Sequence, residues 1–279
     1  LNFFEKDTVF NKKRFSISSG GVVLGASTSI VLLSELWYKD YPRSPLHSFN
    51  DINEWLQMDK MGHTTTSYTL GYVGGSILKW SGVSHKKSVW IGGSLGLAYL
   101  TGIEVLDGLS EEWGFSWGDM AANTIGSGMY ISQELLWEEQ RVRPKFSAHL
   151  SPYAELRPNI LGSATSERLL KDYNGQTYWL STNIASFLNK NSRLPKWLNL
   201  AIGYGGEEMI KGDVIDYYQV KGSDVMHYSA YRQYYLSLDI DLTKIKTKNH
   251  FLKAFFGTLN YIKIPFPALE FSNRGVKGY

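Results

Sequence analysis

The sequence predicts a mainly α-helical protein with a β-containing C-terminal part: a four-helix membrane bundle over residues 1–143, then a small antiparallel sheet with a short amphipathic helix over residues 144–279. Three observations predict it. Four long stretches of the first half carry few charges, small residues recur within them four apart, and after Pro144 the apolar pattern changes to a period of two.

The first stretch, Ile17 to Leu33, has no charge in 17 residues, and His63–Leu78, Val89–Ile103 and Met120–Gln133 follow it. At about 1.5 Å per residue such helices reach most of the way through a hydrocarbon layer about 30 Å thick. Interior glycine loses about 1 kcal/mol against alanine in an aqueous helix. Rows of small residues are therefore better explained by helices approaching closely in lipid. The rows are Gly21 and Gly25; Ser67, Gly71 and Gly75; Gly92 and Gly96; and Gly118, Ala122 and Gly126. A soluble bundle with tight crossings is the competing explanation. Trp37, Tyr38, Tyr41, Trp80, Trp90, Trp113, Trp117 and Trp137 fall near the ends of the stretches, where membrane proteins carry aromatic belts. Lys12, Lys13 and Arg14 before the first stretch, and His85, Lys86 and Lys87 between the second and third, lie on one side if the helices alternate.

Beyond Pro144, Tyr178–Phe187, Trp197–Tyr204 and Tyr231–Leu242 read as strands. In the last, Tyr234, Leu236, Leu238, Ile240 and Leu242 alternate with Tyr235, Ser237, Asp239 and Asp241, which predicts one apolar face and one wet face. Closed membrane barrels start at about eight strands, so a small sheet beside the helices is expected. His250–Leu259 reads as an amphipathic helix capped by Asn249, and it must end before Ile264-Pro265-Phe266-Pro267.

Composition narrows the function. The chain has no Cys, which removes thiol catalysis, thiolate metal sites and disulfides. A net charge of +3 without a basic, aromatic-laced patch argues against nucleic acid as a partner. No HExxH, GxSxG, P-loop or GxGxxG fingerprint is present. The chain starts at Leu1, which suggests a mature protein that has lost a signal peptide.

The polar residues at the helix ends are the candidate site. Asp59 and His63, with Lys60 beside them, share a helix face at the start of the second stretch. Glu104 and Asp107 share one at the end of the third, and Asp119 and Asn123 at the start of the fourth. Alternating helices bring all three pairs to one membrane face. Carboxylates near a bilayer pair with cations, face a cavity or mark a functional site. Three readings compete: a clasp fixing helix register, a headgroup or small-ligand pocket, and a catalytic or metal centre in which Glu104 and Asp119 offer hard oxygens and His63 a base. The spacing names no cofactor. Gly203, Gly205 and Gly206 read as a turn, and Glu134, Glu138 and Glu139 with Arg141 and Arg143 as a solvated helix end.

The order Asp59-Lys60-x-x-His63, Glu104, then Ser116-x-x-Asp119-x-x-Ala122-Asn123-x-x-Gly126, resembles the VanZ-like superfamily of small helical membrane proteins over residues 55–130. Across nearly the whole chain the sequence is similar to the YfiM-like envelope proteins in their long Bacteroidota form. The segments carrying this are Trp55–Lys60, Lys171–Ser181 and Arg232–Leu242. The resemblance implies export and an outer-membrane location, with the inner membrane as the alternative. YfiM-like members are described as predicted periplasmic lipoproteins, from which the absence of Cys departs, so the helices would have to hold the membrane. Neither family brings an established reaction; the VanZ-like association with glycopeptide resistance points to envelope lipids or glycolipids. The resulting expectation is a non-enzymatic accessory subunit of an outer-membrane complex, partnered by membrane lipid and other proteins. The alternative is a lipid-headgroup or glycolipid binding or processing protein using the His/carboxylate cluster.

Overall fold

The computed structural model describes residues 6–39, 41–189, 191–221 and 224–279. The side chain of Trp37, expected in an aromatic belt, lies outside the described ones. The chain divides into two compact units, Leu1–Ile52 with His63–Gln140, and Asn53–Gly62 with Arg141–Tyr279.

The first unit is helical. Asn11 caps α1 (Lys12–Leu33) by accepting from the Arg14 N–H, and no residue of α1 is buried. α2 (Met58–Trp80) enters this unit at His63. The short α3 (His85–Lys87) passes through a π-helical turn, Ser88–Gly92, into α4 (Leu95–Gly108), and α5 (Trp117–Trp137) follows. Glycine lets α2 approach the α3–α4 run and α5 closely. A Cβ on Gly71 would stand 2.9 Å from the Gly93 carbonyl oxygen. One on Gly75 would strike the Tyr130 hydroxyl, one on Gly92 the Gly75 backbone, one on Gly96 the Ser67 backbone and one on Gly126 the Thr64 backbone. Ser67 Oγ donates to the Asn123 carbonyl at 2.6 Å and lies 3.0 Å from Ser127 Oγ.

Two expectations are corrected here. Gly21 and Gly25 mediate no close approach, since a Cβ at either would meet nothing within 4 Å; α1 presents this side to open space. Among the described residues only α1 and the run His85–Gly108 are long and apolar enough to cross a membrane, so the four-helix membrane bundle reduces to two candidate spans. Polar side chains account for the shortfall, with Thr64, Thr65, Thr66 and Lys79 in α2 and Asp119, Asn123, Gln133 and Glu134 in α5. Several of these make the bonds between helices instead of facing outward.

The second unit opens with a left-handed turn of three non-glycine residues, Trp55 (φ 48°), Leu56 (φ 51°) and Gln57 (φ 64°). Such a turn costs about 1–3 kcal/mol per residue and persists only where its surroundings fix it. Each residue is anchored. The Trp55 N–H donates to the Gly212 carbonyl at 2.9 Å, the Leu56 carbonyl accepts from the Tyr204 hydroxyl, and Gln57 Oε1 accepts from Arg232 at 2.7 Å. Leu56 and Met58 form a small core with Met209 and Ala230.

The rest of this unit is β1 (Val142–Ala148), the short α6 (Pro158–Leu161) and α7 (Thr165–Lys171), then β2 (Gln176–Thr182), β3 (Leu198–Glu207), β4 (Asp216–Lys221), β5 (Asp224–Ser229), β6 (Tyr231–Ile240), α8 (His250–Leu259), β7 (Ala268–Ser272) and β8 (Gly275–Gly278). Six strands form one antiparallel sheet in the order β1-β2-β3-β6-β7-β8, and β4 and β5 form a separate hairpin. The outer edge of β1 is also bonded. Phe146 N–H donates to the Tyr261 carbonyl and the Lys263 N–H to the Phe146 carbonyl, both at 2.9 Å. The segment that runs into β7 thus pairs with β1, and the sheet curls toward itself.

The faces of this sheet are reversed from the expected apolar-in, wet-out arrangement. Asp239 and Lys145 are fully buried (0% exposed), as are Ser181 and Glu270, with Asn199, Gln233 and Ser237 nearly so. Leu180, Leu200, Leu236, Leu238 and Leu269 are exposed, Ile202 to 59%. In register, Phe146, Tyr178, Tyr204, Tyr234 and Phe271 form one aromatic row across five strands, of which Tyr234 and Phe271 are exposed while Tyr178 and Tyr204 pack against the core of Leu56, Met58 and Met209. Leu180, Ile202, Leu236 and Leu269 form the next, exposed row, which ends at a buried Pro144 on β1. Much of the buried face is bonded within itself, although Asp239 Oδ1, Asp241 Oδ2 and Glu270 Oε1 accept no hydrogen bond. Lys145 Nζ lies 2.7 Å from Asp239 Oδ2 and donates to the Ile240 carbonyl and Asn260 Oδ1, while Ser181 donates to Asp239 at 2.6 Å. Lys263 Nζ sits 4.9 Å from the Trp179 ring centroid and 4.0 Å from Asp239 Oδ1.

The Ile184–Phe187 end of the strand expected over Tyr178–Phe187 forms a 3-10 turn instead, begun by Asn183 accepting from the Ser186 N–H. Gly203, Gly205 and Gly206 lie inside β3 and not in a turn; a Cβ on Gly203 would stand 2.7 Å from the Trp179 ring. α8 forms where expected, with Asn249 accepting from Phe251 and Leu252 N–H. Gly126→Leu is expected to destabilise by about 1–3 kcal/mol through overpacking against Thr64 and Ser67. Gly21→Leu should stay within about 0.5 kcal/mol, because the added side chain meets nothing. Urea titrations in mild detergent distinguish the two.

Candidate functional site

The helical unit collects its buried polar groups around the N-terminus of α5. Ser116 is the cap of this helix, its Oγ accepting from the Asp119 N–H at 3.1 Å, as the Ser-x-x-Asp spacing suits. The same Oγ donates to Asp51 Oδ1 at 2.6 Å, and the Ser116 N–H donates to Glu104 Oε2 at 3.1 Å. Asp119 in the first turn places negative charge where the helix dipole favours it. Ser116 is therefore the hub joining the end of α4, the segment before α2 and the start of α5.

His63 reaches the same place from α2. Its Nδ1 lies 3.1 Å from Asn123 Oδ1 and 3.5 Å from Glu104 Oε1. A proton on Nδ1 lets His63 donate to either neighbour. Glu104 is 1% exposed and Asn123 0%, and Asp119 is also buried. Two atoms in this group, Glu104 Oε1 and Asn123 Nδ2, are buried without a hydrogen-bond partner. The arrangement binds three helices together through one imidazole and two buried carboxylates.

Within the helical unit the expected residues do not all meet. His63, Glu104, Asp119 and Asn123 come together in the helical unit. Asp107 turns away from them and accepts from the Tyr38 hydroxyl at 2.6 Å. Burial, reinforced by Asp107, pushes the Tyr38 phenol well above its usual range, so it remains a donor. Asp59 and Lys60 belong to the second unit, where Tyr173 donates to Asp59 at 2.7 Å and Lys60 Nζ lies 3.3 Å from it. One turn on, a Cβ at Gly62 would press within 3.0 Å of the Tyr178 hydroxyl, which gives that glycine a packing reason.

Asp51 and the hub role of Ser116 escaped the sequence reading. The capping spacing was a usable signal for Ser116, whereas nothing in the local pattern marks Asp51. Glu134, expected in a solvated helix end, is buried, ion-pairs with Lys79 and accepts from Gln140 at 3.2 Å.

Fold and site together define a helical unit with a buried His/carboxylate clasp, joined in one chain to an antiparallel sheet whose apolar face is outermost. Residues 47–133 match the model of the family described as "Predicted periplasmic lipoprotein (DUF2279)", an envelope-protein family. The match covers roughly a third of the chain, takes in His63, Glu104, Ser116, Asp119 and Asn123, and stops before the sheet. Neither the curated proteins nor the solved structures contain a match.

Under the clasp reading, Glu104→Ala strands the Ser116 N–H in a buried site and removes the carboxylate facing His63. The expected loss is about 2–4 kcal/mol. Glu104→Gln keeps an acceptor for Ser116 and should lose about 1 kcal/mol or less. Equal losses in the two variants, measured by urea unfolding, would contradict the clasp.

Proposed function

We propose that this chain is a non-enzymatic membrane protein of the cell envelope that serves as an accessory subunit of an outer-membrane complex. The observation carrying this reading is α1, a helix of 22 residues, long and apolar enough to span a membrane, that buries none of its residues. Val23, Leu24, Val31 and Leu32 all stand exposed on it. Leaving a Val or Leu in water forgoes about 1.5–3 kcal/mol each, so the helix calls for lipid or another protein around it. The open space at Gly21 and Gly25 leaves room for a partner helix. The envelope family matched by residues 47–133 supports the compartment. Having two moderate spans among the described residues, rich in Ser, Thr and Gly, favours escape from the inner membrane and an outer-membrane destination over the inner-membrane alternative.

A second reading has its own observation. Glu104 Oε1 and Asn123 Nδ2, which make no hydrogen bond, offer an acceptor and a donor to a polar lipid headgroup or glycolipid, making the clasp a binding site. If so, Glu104→Gln and Asn123→Ala retain the fold but lose lipid binding in calorimetry with anionic vesicles; unchanged binding would retire this reading.

For the subunit reading, alkaline carbonate extraction should leave the chain in the membrane pellet. Solubilisation in mild detergent should yield a stoichiometric assembly larger than the 31.6 kDa chain. Release into the carbonate supernatant, or recovery solely as a monomer, would contradict it.

A further inference from the structure

We propose that the outward face of the six-stranded sheet lies in the hydrocarbon of a bilayer, so that the second unit is itself seated in the membrane. This rests on the membrane reading above and extends it from one helix to the sheet. Three features of the unit argue for acyl chains as the occupant.

The first is complementarity of charge. From the aromatic row through the rows of Leu236, Leu238 and Ile240, no outward side chain on any strand is charged; Arg232, one row beyond Tyr234, is the first on β6. Hydrocarbon carries no charge either, and it penalises Arg or Lys on a lipid face by depth. The second is order along the strands. The exposed rings of Tyr234 and Phe271, bordered by Arg232, give way to aliphatic and small uncharged residues, with Thr182 the one hydroxyl among them, the sequence of a membrane interface followed by its interior. Tyr234 to Ile240 covers about 20 Å of strand, against about 25 Å for the apolar band of a spanning barrel, so the sheet is immersed without having to cross completely.

The third feature is the inverted interior. In water, a sheet of this composition gains most by turning its leucines inward; this one turns Lys145, Asp239 and Glu270 inward instead and pairs Lys145 with Asp239. Lipid rewards that arrangement, because it demands that polar groups be satisfied within the protein. The bonded outer edge of β1 and the four-residue length of β8 at the other end keep unpaired backbone to a minimum.

Because the chain contains no Cys, each introduced thiol is a unique label site. The full chain would carry a polarity-sensitive fluorophore on Ile202→Cys, Leu236→Cys or Leu238→Cys, with Val23→Cys in α1 and Glu155→Cys in an exposed turn as references. Each is reconstituted in phosphatidylcholine–phosphatidylethanolamine vesicles with acyl-chain-brominated lipid. Labels at 202, 236 and 238 are expected to be blue-shifted, to lose emission to the bromines and to resist iodide, while the label at 155 responds to iodide alone. Iodide quenching of the sheet labels overturns the proposal, and so does their resistance to both quenchers, which would mean that protein covers the face. If Val23 alone reports bromine, the sheet proposal fails and the membrane reading stands; if Val23 also reports only iodide, both fail.

Discussion

The buried ion pair between Lys145 and Asp239 is the interaction on which the C-terminal half depends. Two charges with no solvent access are tolerable only when paired and hydrogen-bonded, and here Ser181, Asn260 and the Ile240 carbonyl supply bonds to the pair. With period-two alternation, fixing this polar cluster inside fixes every leucine of the same strands outside. The apolar outer surface is therefore not an independent feature. It is the geometric consequence of a polar core, and any environment that suits one face must suit the other.

The helical unit meets a related constraint by different means. Its helices approach through glycine contacts at Gly71, Gly75, Gly92, Gly96 and Gly126, and their scarce ionisable groups converge on Ser116 at the cap of α5. Close approach brings Ser67, Thr64 and Ser127 within bonding distance of facing backbone and side chains, so polar residues act between helices. The helix whose glycines make no close approach, α1, also has no buried residue, although Ser29 bonds the Tyr99 hydroxyl of α4 at 2.7 Å. It is the element with the clearest need for lipid or a partner.

Much of this was legible in the sequence, but unevenly. The four glycine-bearing helices, the central strands β2, β3 and β6, and α8 with its Asn249 cap follow from spacing and capping chemistry. Three outer strands did not: β1 contains Pro144, which reads as a boundary yet is tolerated in an edge strand, and β7 and β8 are too short to establish a period. Alternation in β6 established that two faces exist but not which one is buried. That sign depends on whether water or lipid lies outside, which no local pattern states. At the site, His63, Glu104, Asp119 and Asn123 were recoverable from one-turn spacing. The Tyr38 hydroxyl that Asp107 accepts from was not legible, because a shared helix face says nothing about a competing donor. Asp51 arrives through an irregular segment with no periodicity to read.

The central claim is that the polar face of the sheet is its interior and the leucine face its lipid surface. Methyl-resolved NMR of the Ile- and Leu-labelled protein in lipid nanodiscs tests it most directly. The methyl groups of Leu180, Ile202, Leu236 and Leu269 should show cross-peaks to acyl-chain methylene protons and none to water. Cross-peaks to water at these methyls, or contacts to buried protein protons in their place, would contradict the account.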